Sequence, residues 1–396
     1  MKPVFRKAVI GTLENEAGQG TMNTFCQIGD FNSDGILDYA LCGRNGSMAW
    51  LQNSGASETW TTHVIAQVQG QECGGSVYDL TGNGVPDIIN GADHTHDEMS
   101  WWENPGDGST PWKRHRIANT RLCQMHDTLI GPIKNDGVMY LVFTNQMAAD
   151  HTGTTIFAVP IPEDPYQEPW PNLEIIAQGK HLPNPRHPWN SAGIQPDEGL
   201  AIADVNGDGL LEVVCGVSYY RWTDEGCASS QFTSKSYISN KIAVGDVNGD
   251  GRAEIVLSEG DACIYGHNEG CKLAYFTAPP NGVGEWEEHI LDTGLLDAHS
   301  LRIADLCGNG FADLFVGEIG VVAKNGASEE YTIRPPRLLV YENDGKGHFT
   351  TRHIIDEGTG IHEAVLADLN GNGKLDIIGK PLHGPEKWSI HVWYRE

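Results

Sequence analysis

Two nine-residue stretches, DVNGDGLLE from Asp204 and DVNGDGRAE from Asp246, set oxygen-bearing side chains at alternate positions around a tight, glycine-permitted turn. Asp204, Asn206, Asp208 and Glu212, and likewise Asp246, Asn248, Asp250 and Glu254, have the spacing that a hard cation with six or more oxygen ligands requires, so structural Ca²⁺ is the expected occupant. An EF-hand is excluded. Its twelfth position, where a bidentate Glu belongs, is Cys215, and the following VVCG is a β-branched strand signature. The plain alternative is an Asx-turn held by its own hydrogen bonds.

The loop recurs as DFNSDGILD from Asp30, DLTGNGVPD from Asp79, DLCGNGFAD from Asp305 and DLNGNGKLD from Asp368, with a degenerate copy read around Asp127 in HDTLIGPIKNDGVMYLVF. Six residues before the seven Asp positions stand Thr24, Cys73, Arg121, Glu198, Asn240, His299 and His362, a mostly polar set. His299 and His362 share one register in consecutive repeats. A divalent axial metal, Zn²⁺ or a further Ca²⁺, would bridge them with Glu198 or a water, whereas two histidines donating to a sugar is the simpler alternative. Connections between the second and third strands of each repeat add Arg44, His94, His96, Asn145, His151, Tyr219, Tyr220, Arg221, Glu318, Lys380 and His383. The insertions GKHLPNPRHPWNSAGIQPDE and GEIGVVAKNGASEEYTIRPPR bring Arg186, His187, Trp189 and Arg334, with Trp189 the best sugar-stacking candidate. His63, His115, His289 and His353 recur inside outer strands, and Trp50, Trp101, Trp102, Trp222 and Trp393 inside third strands, which makes them packing residues.

Placing one residue per repeat around a common point requires a ring. Seven units spaced by roughly 40 to 80 residues fit propeller blades with insertions. Each reads as four strands, the innermost ending at the repeat Asp, the second in runs such as PDIING or LDIIGK, then MSWWENPG or IHVWYRE, then WKRHRIA or FTTRHII. The last unit ends after its third strand, while FRKAVIG near the N-terminus has the outer-strand pattern, so the N-terminal strand is expected to close the last blade. The fold class is therefore all-β, a seven-bladed β-propeller forming a single domain over residues 1–396, indexed by Asp30, Asp79, Asp127, Asp204, Asp246, Asp305 and Asp368.

These D-x-[NST]-x-[DN]-G-x-x-[DE] loops, followed by strands such as VVCG, resemble the FG-GAP or VCBS repeats of integrin α-subunit propellers and of microbial carbohydrate-active propellers. With WWENPG and the WxxHxI strands, the chain resembles the propeller module of fungal aldos-2-ulose dehydratase. With its size and YYRW, it resembles the fungal L-rhamnose-α-1,4-D-glucuronate lyases. That resemblance implies a polysaccharide lyase removing terminal rhamnose by β-elimination and leaving an unsaturated glucuronate, with a plant-type acidic polysaccharide such as gum arabic, or an oligosaccharide of it, as partner.

Such a lyase must neutralise the uronate carboxylate, remove the C5 proton and protonate the departing oxygen at C4. Arg121, Arg186 and Arg221 are the candidate neutralisers, and Tyr219, Tyr220, His94, His126, His299 and His362 the candidates for proton transfer. Arg186, His187, Trp189, Glu198, Asn145, Lys380 and His383 are the candidates for substrate binding. Three alternatives stay open: a keto-sugar dehydratase, a glycoside hydrolase using Glu198 with Glu259 or Glu318, and a non-catalytic carbohydrate or adhesion propeller. No GxSxG elbow, HExxH helix or phosphate loop is present.

With 26 Lys+Arg against 53 Asp+Glu, the formal charge of −27 argues against nucleic acid and anionic membranes as partners. No run reaches a membrane span and the first residues lack a signal-peptide pattern, so a soluble protein is expected, monomeric, with secreted and intracellular locations both open. Nine cysteines without CxxC spacing favour buried free thiols over pairs such as Cys215/Cys227 or Cys263/Cys271.

Overall fold

The computed structural model describes residues 2–13, 25–43, 46–55, 59–67, 70–93, 95–121, 123–134, 136–147, 154–178, 198–260, 270–280, 282–325 and 328–396. Its strands form seven four-stranded antiparallel sheets and one two-stranded hairpin. The inner strands are Phe25–Gly29, Gln71–Tyr78, Cys123–Gly131, Leu200–Ala203, Asn240–Gly245, Ser300–Ala304 and Glu363–Ala367. Each touches the next in cyclic order, and the seventh touches the first, so the blades close a ring. In the last blade the N-terminal strand Phe5–Thr12 pairs with Ser389–Arg395, supplying the outer strand as its sequence predicts.

Blades hold together face to face. The buried apolar residues fall into seven clusters, each spanning two neighbouring blades, as where Phe25, Trp50, Ile88 and Trp102 join the first to the second. Contact is close enough that a Cβ on Gly75 would stand 2.0 Å from Phe25 Cδ2. At the turn after each inner strand the sixth loop residue is a glycine in the left-handed region, for example Gly209 at φ 84° and Gly251 at φ 84°. Where the ninth position is an acid it is buried and ties the turn to the end of the third strand: Asp87 accepts from the Leu80 and Asn104 amides, Asp313 from those of Leu306 and Asn343.

One index position needs correcting. In the third blade Gly131 pairs with Tyr140, as Gly29 pairs with Asp38 in the first, so the turn begins at Pro132 and not at Asp127. Asp127 lies inside the inner strand, beside a bulge between Met125 and Thr128.

Candidate functional site

With the third blade in its true register, the residue six before the turn is His126, and Arg121 drops out of the ring. His126, Glu198, His299 and His362, from four different blades, then converge at the starts of their inner strands. All four are buried. His299 Nε2 lies 2.7 Å and His126 Nε2 3.7 Å from Glu198 Oε2, and the His299 and His362 rings are 3.8 Å apart between centroids. His299 Nδ1 is 2.9 Å from the His362 carbonyl oxygen, which fixes its proton there and leaves Nε2 directed at Glu198. Nδ1 of His362 is buried without a hydrogen-bond partner among the described residues.

In the third, fifth and seventh blades the next residue of the inner strand brings charge, as Asp127, Lys241 and Glu363. Lys241 Nζ is 3.5 Å from Glu198 and 3.9 Å from Asp127, and Asp127 in turn lies 2.8 Å from His126 Nδ1. Deeper in the channel Arg302 pairs with Glu363. Of these groups His126, Asp127, Lys241, Arg302 and Glu363 line, with Gln27 and others, a cavity of about 260 Å³, while Glu198, His299 and His362 lie behind its wall.

Burial opposes ionisation of Glu198, but His126, His299 and Lys241 outweigh it and hold the carboxyl well below the usual range. Burial likewise opposes ionising Asp127, and Lys241 and His126 pull it down. Burial, with Lys241 nearby, lowers His299; burial, with His299 and Lys241, lowers His362 well below the ordinary histidine value. Both imidazoles are therefore neutral at pH 7. Neutral imidazole and ionised carboxylate are the forms that bind a metal, and nitrogen or oxygen donors of His126, Glu198 and His299 all lie within 4.8 Å of one another. The donor set, with the unpartnered His362 nitrogen beside it, suits a divalent transition metal.

The FG-GAP-like repeat family matches residues 30–90, 204–257 and 322–379. This chain carries FG-GAP-like repeats. No curated protein matches its sequence. Among solved structures it is similar to BBS1N in complex with ARL6DN, at 9% identity and TM-score 0.55, over 100% of this chain and 98% of that one. It is also similar to the V. cholerae biofilm matrix protein Bap1, at 9% identity and TM-score 0.51, over 98% and 91%. At such identity the likeness is one of fold.

The FG-GAP-like loops lie at the opposite end of the inner strands from the histidine cluster. In the fourth blade the two carboxylate oxygens of Asp204 accept the Gly207 and Gly209 amides, and Asn206 Nδ2 donates to Glu212 at 2.6 Å. The fifth blade repeats this with Asp246, Asn248 and Glu254, and Asp250 accepts the Arg252 amide. Burial and the neighbouring loop acids push Glu212 and Glu254 up to about 7. A cation in either turn would relieve that crowding, so the donors fit Ca²⁺.

The remaining candidates among the described residues stand apart from the axial cluster. Tyr220 is buried between the third and fourth blades and Tyr219 between the fourth and fifth, its hydroxyl donating to the Gly282 carbonyl. Arg221 is carried to the loop end, where it pairs with Asp208 at 2.6 Å. The YYRW motif is thus an ordinary third strand. Arg121 is exposed on the connection between the second and third blades. Asn145 is buried and accepts the Thr155 amide. Lys380 is buried against the carbonyls of Pro381 and Lys387, and His383 lies 3.8 Å from Glu329. His94, Arg186, His187 and Trp189, with Thr24, Arg44 and His151, fall outside the described residues.

Glu259 accepts the Ile238 and Lys272 amides, and Glu318 is clamped by Arg334 and Arg337. Both acids are buried and engaged by these partners. Three of the four outer-strand histidines stack as packing residues, His63 on Trp50, His115 on Trp101 and His289 on Tyr275. Among the described residues Cys26, Cys42, Cys215, Cys227, Cys271 and Cys307 form no disulfide with one another. Sequence reasoning missed Lys241, Asp127, Arg302 and Glu363, which flank the ring positions by one to three residues.

Proposed function

We propose that this protein is a polysaccharide lyase that removes terminal rhamnose from rhamnosyl-α-1,4-glucuronate, with its chemistry at the axial cluster. The observation that carries the reading is the convergence of His126, Glu198, His299 and His362 on one point beside Lys241. Lys241 contributes the positive charge that lowers the barrier to removing a proton next to a uronate carboxylate. His362, neutral and with a nitrogen to spare, takes the C5 proton. The electron pair left on C5 forms the C4=C5 double bond as the C4–O bond breaks, and His362 returns the same proton to the departing oxygen. Rhamnose and a 4,5-unsaturated glucuronate result. Asp127 and Glu198 hold His126, His299 and Lys241 in place. A divalent metal held by His126, Glu198 and His299 would supply Lewis-acid neutralisation of the uronate carboxylate.

Hydrolysis is the weaker reading, because Glu259 and Glu318 are both engaged by backbone amides or arginines. The test is incubation with gum arabic, following the ultraviolet absorbance of the conjugated uronate together with free rhamnose. Both signals rising together support the lyase. Rhamnose without the absorbance means hydrolysis. Neither signal discards both, leaving a keto-sugar dehydratase, tested on an aldos-2-ulose, or a non-catalytic propeller.

A further inference from the structure

The sixth blade departs from its siblings at two places that meet in space. Its turn, DLCGNGFAD, puts Cys307 at the third loop position, where the first, fourth, fifth and seventh blades have Asn32, Asn206, Asn248 and Asn370 and the second has Thr81. On its outer strand His353 faces Val340, whereas the equivalent His63, His115 and His289 face and stack on Trp50, Trp101 and Tyr275, with ring centroids 4.2, 4.3 and 4.4 Å apart. Among the described residues His353 has no ring stacked on it.

The imidazole meets a carboxylate, as His115 meets Glu103 in the second blade, and in place of a stacked ring it has a thiol nearby. His353 Nε2 is 2.7 Å from Glu342 Oε2, and donor atoms of Cys307, Glu342 and His353 all lie within 4.8 Å of one another. Cys307 and His353 are buried, and the Cys307 backbone is pinned by its amide on Asp313 at 2.8 Å. Each donor comes from a different strand or turn of one blade, so their meeting is not a product of local sequence.

We propose that Cys307, Glu342 and His353 form a metal site for Zn²⁺ or a cation of its class, separate from the axial cluster and unlike the calcium-type turns. Sulfur, nitrogen and oxygen together select a borderline cation, since Ca²⁺ and Mg²⁺ take oxygen alone. Donors of a tetrahedral Zn²⁺, with bonds of about 2.0–2.3 Å, stand roughly 3.5 Å from one another, inside the 4.8 Å spread of these three. Three protein donors leave a fourth position for water. The thiol gives up its proton on binding. Bound metal would tie the sixth turn to the third and outer strands of its blade, the job that aromatic stacking does in the first, second and fifth.

The site has a spectroscopic signature that the axial cluster cannot give. Metal-stripped full-length protein titrated with Co²⁺ is expected to develop a near-ultraviolet thiolate-to-cobalt charge-transfer band. Cys307→Ser should abolish the band, His353→Gln should weaken cobalt binding by more than about tenfold, and His299→Ala should leave the band intact. Absence of the band in the unaltered protein, or its survival in folded Cys307→Ser, overturns the proposal. Should Cys307→Ser fail to fold, His353→Gln decides alone, and unchanged affinity there overturns it equally.

Discussion

Replacing Glu198 by Gln separates the electrostatic account of the axial cluster from a purely steric one. Lys241 is buried and faces two carboxylates, Glu198 at 3.5 Å and Asp127 at 3.9 Å. At an effective dielectric of about 20 those distances correspond to roughly 4.7 and 4.3 kcal/mol of attraction, so Glu198 supplies about half of what holds the ammonium in place. Deleting one partner of a buried pair typically costs about 3–5 kcal/mol. Because Asp127 stays, and because the Gln amide N–H can donate to His299 Nε2, the expected loss is about 2–3 kcal/mol, with the fold intact.

A double-mutant cycle in urea at pH 7 checks the reasoning. Glu198→Gln, Lys241→Met and the double variant should show a coupling energy of about 1–3 kcal/mol, with the double variant less damaged than the sum of the singles. On the rhamnosyl-glucuronide, Glu198→Gln should lower kcat/KM by about a hundredfold or more, with the loss in kcat. Stabilities that add within about 0.5 kcal/mol would refute the charge coupling. Full activity in the single variant would refute the placement of the reaction.

Three further expectations are independent of that cycle. Burial pushes Lys380 from 10.5 down to about 7, with the charge of Lys387 adding to it. The unfolded chain therefore holds the extra proton between pH 7 and 10.5, and this lysine's contribution makes the protein gain stability as pH rises through that window and none below it. The shift sets an upper limit of about 4.8 kcal/mol. Subtracting about 1 kcal/mol for each of two lost carbonyl contacts, Lys380→Met should be more stable than the parent at pH 7 by about 1–3 kcal/mol; a destabilised variant in urea melts would refute this. Tyr220→Phe and Arg221→Ala should keep activity within about twofold, costing no more than about 1 kcal/mol of stability; a large loss in either would return YYRW to the site. Calcium at a hundred times its dissociation constant should add about 2.7 kcal/mol per occupied turn, read as a higher melting temperature than in chelator. Asp204→Ala and Asp246→Ala should each remove a share of that gain, and identical melts with and without calcium would empty the turns.

Where the sequence was readable, a local rule was at work. Turn chemistry repeats its own ligands and glycine, so Asp30, Asp79, Asp204, Asp246, Asp305 and Asp368 index six blades without any knowledge of packing. The outer-strand pattern of Phe5–Thr12 foretold the closure with Ser389–Arg395. The third blade failed because its turn has lost the first and third ligands, to Pro132 and Lys134. Its surviving signal was the Asp136-Gly137 pair, which matches Asp34-Gly35 and places the turn at Pro132. Trusting the acid at Asp127 shifted the register by five residues and put Arg121 where His126 stands.

The other failures follow from how a blade meets its surroundings. Strand alternation sends neighbouring side chains to opposite faces, but in a closed ring both faces of every blade are covered by other blades. Tyr219 and Tyr220 therefore enter two different inter-blade cores. A polar or aromatic motif in a third strand has no route to the axis, whatever its chemistry. The inner strand is the opposite case, because it meets the axis by its edge, and residues of both faces border the channel there. His126 and Asp127 reach the same cavity from consecutive positions, as Lys241 does from beside Asn240. Taking one position in each repeat thus yields His299, His362 and Glu198 but misses the adjoining Lys241 and Asp127. The cluster's charge balance depends on those two as well, since Lys241 adds to His126 and His299 in keeping buried Glu198 ionised, and Asp127 shares with Glu198 the holding of Lys241.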